Sequence, residues 1–176
     1  MIKMTPLQML SEEHQIILKI IALVRDKSSR TGEELDQKFW DKIIFFIQNY
    51  ADKFHHAKEE KILFPEINRQ DEDGKMHCNP ISQMLYEHEL GRGFVKGMRE
   101  GLAKRDKERL VSNALNYSQL LEEHIFKENQ ILYPMAEEAI GKPDWEKIAE
   151  KFEKVNGKLR STEQKCLTIL NEVARK

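Results

Sequence analysis

Apolar residues recur three and four positions apart along most of the chain, which places them on one face of an α-helix. Five such series occur, and none of them alternates with the period of a strand. Four of them fall in residues 44–62, 81–102, 110–135 and 145–173. The first series comprises Leu7, Leu10, His14, Ile17, Ile21 and Val24. The pattern predicts an all-α fold: an antiparallel up-and-down four-helix bundle with an additional C-terminal helical segment.

Local signals divide the chain into these helices. Residues 5–8 and 31–34 each match a capping box, which predicts a helix start. The sequences Leu-Phe-Pro at 63–65 and Leu-Tyr-Pro at 132–134 predict helix ends, and the polar residues 66–78 predict the longest loop. We expect residues 1–140 to form a metal-binding bundle. Residues 141–176 are expected to form a helical extension that packs on the bundle or on a partner, with Gly157 as a candidate break.

Composition narrows the class of protein. The 176 residues predict one domain, and 29 basic against 30 acidic residues leave a net charge of −1, which favours neither nucleic acid nor an anionic membrane as a partner. The longest apolar stretch, Ile16 to Val24, contains Lys19 and is too short to span a bilayer. Two cysteines cannot form a disulfide framework, and the N-terminus lacks a signal-peptide core. We therefore expect a cytoplasmic protein.

One segment of the sequence occurs twice. Residues 55–65 align without a gap to residues 124–134, and each copy contains His-x-x-x-Glu followed by Leu-aromatic-Pro. A second, shorter repeat is the dipeptide Glu-His at 13–14 and at 87–88. The chain is therefore a helical hairpin used twice, and each copy contributes one lone histidine and one His-x-x-x-Glu pair.

These repeated residues indicate a metal site. Side chains four positions apart lie on the same helix face, so each His-x-x-x-Glu pair points inward together. Two buried carboxylates would be costly alone, whereas each could bridge two metal ions while two imidazoles bind each ion and leave positions open for a small ligand. Nitrogen and oxygen ligands favour iron or manganese, with zinc as an alternative. The predicted ligands are His14, His55, Glu59, His88, His124 and Glu128.

Three further residues near these motifs are expected to have ordinary roles. His56 is about 100° from His55 on an α-helix, and its counterpart in the second copy is Ile125, so we predict that it points away from the site. We expect His77, beside Cys78, to have an ordinary role in the loop, with a labile outer metal ligand as the alternative. Tyr117 is expected to be a core tyrosine whose hydroxyl is hydrogen-bonded.

The motifs resemble the HHE cation-binding domains of the hemerythrin-like family over residues 7–138. The resemblance implies a non-haem di-iron centre with two iron ions, bridged by an oxo or hydroxo group when oxidised. His14 and His55 would serve one iron, and His88 and His124 the other. Glu59 and Glu128 would bridge them.

Two departures from the oxygen-carrying members shift the expected function. Those members have a histidine at the position of Met84, and they have His-x-x-x-x-Asp in the fourth helix. The resemblance therefore implies a protein that meets O2, NO or peroxide for sensing, iron handling or iron-centre repair, and a binding role is favoured over an enzymatic one. Alternatives are an enzyme that reduces peroxide or NO, an O2 store or carrier, and a zinc-stabilised interaction module. The C-terminal helix is a candidate surface for a protein partner or a homodimer.

Overall fold

The computed structural model describes residues 4–30, 32–72 and 79–175, and the ordered elements within these ranges are all helical. Three π-helical segments, in which hydrogen bonds reach five residues back, occur at Ile47–His56, Glu59–Leu63 and Glu128–Leu132. The α-helices are α1 (Pro6–Ser29), α2 (Gln37–Phe46), α3 (Phe64–Glu72), α4 (Ile81–Lys104), α5 (Lys107–Lys127), α6 (Tyr133–Ala139) and α7 (Lys142–Ala174).

Four long helices form the bundle, which confirms the predicted all-α architecture. The first and third are α1 and α4. The second runs from α2 through two π-helical segments into α3, and the fourth runs from α5 through the third π-helical segment into α6. In cross-section, α1 packs against α5 and against the first π-helical segment, and α4 packs against the other sides of both. Each helix thus has two neighbours within the bundle.

The first helix starts as predicted, but the second does not. Thr5 and Gln8 form the capping box, with the Gln8 amide donating to Thr5 Oγ1 over 3.2 Å. Thr31 lies outside the described residues, and the second helix begins only at Gln37. There Asp36 accepts a hydrogen bond from the Phe39 amide at 3.0 Å, so an aspartate N-cap sets the start of this helix.

The predicted ends at the two Leu-aromatic-Pro sequences are wrong, because both helices continue past the proline. Pro65 and Pro134 each follow a π-helical turn and lie in the first turn of the next α-helix, where a missing N–H is tolerated. The predicted loop at 66–78 is also wrong in its first half, since α3 extends to Glu72. Residues 73–78, with His77 and Cys78, lie outside the described part of the chain.

Helix α7 is continuous through Gly157 and packs on the bundle against α1, α2 and the first two π-helical segments. Its apolar stripe faces the bundle, with Ile148, Phe152 and Cys166 buried. Within the residues that the structure describes, no helix is both long and apolar enough to cross a membrane.

The apolar core is divided into two parts. An upper cluster includes Ile17, Phe54, Val95 and Leu121, and a lower cluster includes Leu10, Ile62, Met84 and Leu132. Each bundle helix therefore passes from one cluster to the other, in alternating directions along the chain. The short stretch of each helix between the two clusters carries the polar residues described below.

The contact between α4 and α5 depends on a small residue. A Cβ atom at Gly101 would lie 2.7 Å from the backbone nitrogen of Leu110, whereas no described atom lies within 4 Å of a Cβ atom at Gly93. We predict that Gly101→Ala lowers the free energy of unfolding by about 1–3 kcal/mol. Gly93→Ala should raise it by about 0.5–1 kcal/mol, because alanine favours a helix interior. Urea denaturation measures both, and equal effects would contradict this packing.

Candidate metal centre

A layer of buried polar side chains separates the two apolar clusters. Most of the buried polar residues of the described chain belong to it, and each of the four bundle helices contributes at least two. Burial of this many ionisable groups is costly unless they are paired or bind metal. The members are Glu13, His14, His55, His56, Lys58, Glu59, Glu87, His88, His124 and Glu128.

Within this layer the candidate ligands form two groups. In each group, every residue has a ligand atom within 4.8 Å of the others. The first group combines two imidazoles with two carboxylates, and the second has three imidazoles. Their members are His14, His55, Glu59 and Glu128 in the first group, and His56, His88 and His124 in the second. All six residues predicted from spacing lie in these groups, together with His56, which was not predicted.

The two carboxylates lie between the groups. Glu128 has one oxygen 3.1 Å from His14 Nε2 and the other 3.2 Å from His124 Nε2. Glu59 Oε2 lies 3.5 Å from His55 Nε2 and 3.7 Å from His88 Nε2. Each carboxylate therefore faces one histidine of either group, which is the position that a bridging ligand between two ions would occupy.

Four of the five histidines are held from outside through Nδ1. His55 Nδ1 lies 2.9 Å from Glu13 and His124 Nδ1 lies 2.8 Å from Glu87. His14 Nδ1 lies 3.0 Å from Asn129 Oδ1, and His88 Nδ1 lies 2.7 Å from Glu60. Since these oxygens accept, Nδ1 carries the proton and Nε2 presents a lone pair to the centre. This arrangement is typical of histidines that bind metal.

The atoms that face the centre lack normal partners. Among the described residues, no hydrogen bond reaches Glu59 Oε2, His55 Nε2 or either oxygen of Glu128. His88 Nε2 and His124 Nε2 lie 3.0 Å apart, so two lone pairs face each other unless a proton or a metal ion lies between them. Unsatisfied buried polar atoms are rare, and here they converge. The donor set therefore fits metal cations.

Burial and the neighbouring charges shift the pKa values of two central residues, Glu59 and His124. Burial and the nearby Glu128 carboxylate raise the pKa of Glu59 well above its usual range. Burial opposes the charged form of His124, but Glu128 and Glu87 outweigh it and raise the pKa of His124 to about 9. Without a metal, a proton on His124 thus partly offsets the carboxylate charge. A metal ion would displace that proton.

Comparison with known proteins agrees with this geometry. Residues 5–136 match the hemerythrin HHE cation-binding domain, which covers most of the chain. No curated protein and no solved structure matches the chain. The chain belongs to the hemerythrin HHE cation-binding domain family. Helix α7 lies outside the matched residues. The resemblance found from the sequence is confirmed, and the two groups are compatible with the metal binding that defines this family.

The prediction that His56 points away from the bundle of this HHE domain is wrong. Its side chain is only 5% exposed and stacks on His88 with ring centroids 3.8 Å apart. His56 lies at the end of the π-helical segment Ile47–His56. Its counterpart Ile125 is itself buried, at 3% exposure, in the α-helical part of the second copy, so Ile125 gave no evidence for an outward position. Within the described chain, neither ring nitrogen of His56 has a hydrogen-bond partner.

The acidic residues behind the histidines bind a lysine in both copies of the repeat. Glu13 bonds Lys58 in the first copy, and Glu87 bonds Lys127 at the equivalent position of the second. The two lysines differ in their surroundings, however. Lys58 is fully buried, lies 3.8 Å from the Phe54 ring centroid and donates to Asn156 of α7 at 3.2 Å. Lys127 remains one-third exposed, at 33%, because α7 does not cover it.

One residue that differs between the two copies contacts a central carboxylate. Tyr133 stands where the first copy has Phe64, and its hydroxyl donates to Glu59 Oε1 over 2.6 Å. The ring also stacks on His14, with centroids 5.6 Å apart. The phenol therefore fixes one oxygen of Glu59 and leaves the other facing the centre. The sequence indicated this residue only as a helix end.

The buried lysine gives a test of the layer. Lys58→Met keeps the aliphatic stem but leaves Glu13 without its ammonium partner, and we predict a loss of about 3–5 kcal/mol in the free energy of unfolding. Lys127→Met is the matched control at the equivalent, more exposed position, where about 0–1 kcal/mol is expected. Urea denaturation compares the two. Similar losses would mean that α7 does not bury this ion pair as described.

Proposed function

We propose that this HHE domain binds two iron ions and presents them to O2, NO or peroxide, as a binding and sensing or iron-handling protein. His14 and His55 would hold the first ion, and His88, His124 and His56 the second. Glu59 and Glu128 would bridge the pair. When bound, iron supplies Lewis acidity and one-electron redox chemistry to the small ligand. The chain itself positions the ligands, and no enzymatic turnover is needed for this role.

One observation carries the proposal. The imidazoles of His14, His55, His88 and His124 are bonded from behind through Nδ1. Among the described residues, His55 Nε2, Glu59 Oε2 and both oxygens of Glu128 face the centre without a hydrogen-bond partner. A merely structural polar layer would satisfy the inner atoms as well. Two cations would contact all of these atoms and offset the negative charge of Glu59 and Glu128.

The type of donor supports iron. The groups contain imidazole nitrogen and carboxylate oxygen, and Cys166 lies in the upper apolar cluster instead. Such ligands suit iron and manganese, and zinc is also bound by them. The ligand count leaves open positions for a small ligand. If each carboxylate gave one oxygen to each ion, two imidazoles would leave the first ion with two of six positions open, and three imidazoles would leave the second with one.

We predict that the protein loaded anaerobically with Fe(II) holds two irons per chain. His124→Ala and Glu128→Gln should lower both the iron content and the melting temperature, because lost ligands weaken binding and bound metal stabilises the fold. Glu123→Gln is the control, since Glu123 neighbours His124 but is exposed. Iron analysis after gel filtration and thermal denaturation provide the measurements. Two irons in both ligand variants would contradict the proposed site.

A second prediction concerns His56, which we propose as a ligand of the second ion only. If it is a ligand, His56→Ala should reduce the iron content towards one per chain, with the loss confined to the second ion. If it only fills space, the iron content should stay at two while the protein loses some stability. Iron analysis together with Mössbauer spectroscopy distinguishes the two iron environments. An unchanged spectrum in the variant would remove His56 from the site.

A further inference from the structure

A cavity of about 80 Å³ adjoins the second group of histidines. One water needs about 10–15 Å³ by this measure, so several small atoms fit. The cavity begins at the buried rings of His56, His88 and His124 and extends to the half-buried side chains of Asp52 and Arg92. It therefore connects the candidate metal position with the surface of the bundle.

Tyr117 lines this cavity, and it is a core residue as predicted, but the predicted hydrogen bond of its hydroxyl is wrong. Its ring is buried, at 3% exposure, and among the described residues its hydroxyl has no hydrogen-bond partner. Burial and the nearby Asp52 carboxylate raise the pKa of Tyr117, so the hydroxyl keeps its proton and remains a donor. A buried donor without an acceptor is costly, and a ligand in the cavity would supply the acceptor.

Gly91 makes room beside the tyrosine. A Cβ atom at this position would lie 3.6 Å from Tyr117 Cε2, in ordinary contact. A side chain longer than alanine would therefore enter the space next to the ring. The rest of the wall is largely apolar, with Ile47, Val95 and Leu121.

Arg92 offers no free positive charge to an anion at the outer end. It lies 2.7 Å from Asp52 and 2.6 Å from Glu60, and it also bonds Glu89. Of these three carboxylates, only that of Asp52 lines the cavity. The paired charges and the largely apolar wall favour an uncharged molecule, because an anion would lose its hydration there.

We propose that this cavity binds an uncharged ligand of two to four atoms beside the second group, and that the Tyr117 hydroxyl donates a hydrogen bond to its oxygen or nitrogen. The inference rests on the proposed iron site and adds the place, the donor and the charge of the ligand. It assigns a positioning role to Tyr117 and a role in access to Gly91.

The test uses nitric oxide as the probe and the full chain loaded with Fe(II). Stopped-flow absorption measures its association and dissociation. Tyr117→Phe should raise the dissociation rate about three- to tenfold, the loss of one hydrogen bond. Gly91→Leu should slow association about tenfold or more by filling the cavity. Gly93→Leu, two positions along the same helix at an exposed site, should leave both rates unchanged.

Two further readouts separate the possible failures. Iron content shows whether the metal site is intact, and two irons per chain with unchanged nitric oxide rates in both variants would overturn the inference alone. Fewer than two irons in the wild type would instead overturn the proposed function. In protein stripped of metal, Tyr117→Phe should keep or raise the melting temperature, since the hydroxyl has no protein partner to lose. A marked drop would show a structural partner and would also overturn the inference.

Discussion

The structure depends on two carboxylates buried side by side between two apolar clusters. Glu59 and Glu128 are both 0% exposed, and their charges cannot be left uncompensated at such a depth. The surrounding histidines face them, the hydroxyl of Tyr133 donates to Glu59, and a second row of acids binds the outer nitrogens of the histidines. A positive charge in the middle of this layer, either a proton on His124 or a metal ion, would offset the buried carboxylates.

The hydrogen bonds behind the histidines determine which nitrogen of each ring faces the centre. Glu13 and Glu87 fix the tautomers of His55 and His124, so that their second nitrogens face inward as candidate ligands. The pattern repeats in both halves of the chain, yet the halves are not equivalent. Helix α7 buries Lys58 on one side, and His56 adds a third imidazole on the other. A twofold sequence repeat thus yields two different groups of candidate ligands, one with two imidazoles and two carboxylates and one with three imidazoles.

The sequence predicted the parts of the site that follow from regular helix spacing. His55 with Glu59, and His124 with Glu128, lie on one face because they are four positions apart, and both faces were identified from the apolar series. His56 could not be found in this way, because it lies about 100° from His55 on an α-helix and its burial depends on which side chains pack against that face. The other two π-helical segments lead into Pro65 and Pro134, and the chain stays helical past both prolines. The orphaned hydroxyl of Tyr117 also escaped prediction, since partners across the bundle depend on packing and not on spacing.

The most direct test is diffraction from crystals of the iron-loaded protein, with anomalous scattering measured on both sides of the iron absorption edge. The account predicts two iron peaks separated by the carboxylates of Glu59 and Glu128. One peak should lie against His14 and His55, and the other against His56, His88 and His124. A single peak, or iron located away from the two carboxylates, would contradict the central claim that this buried layer is a two-metal site.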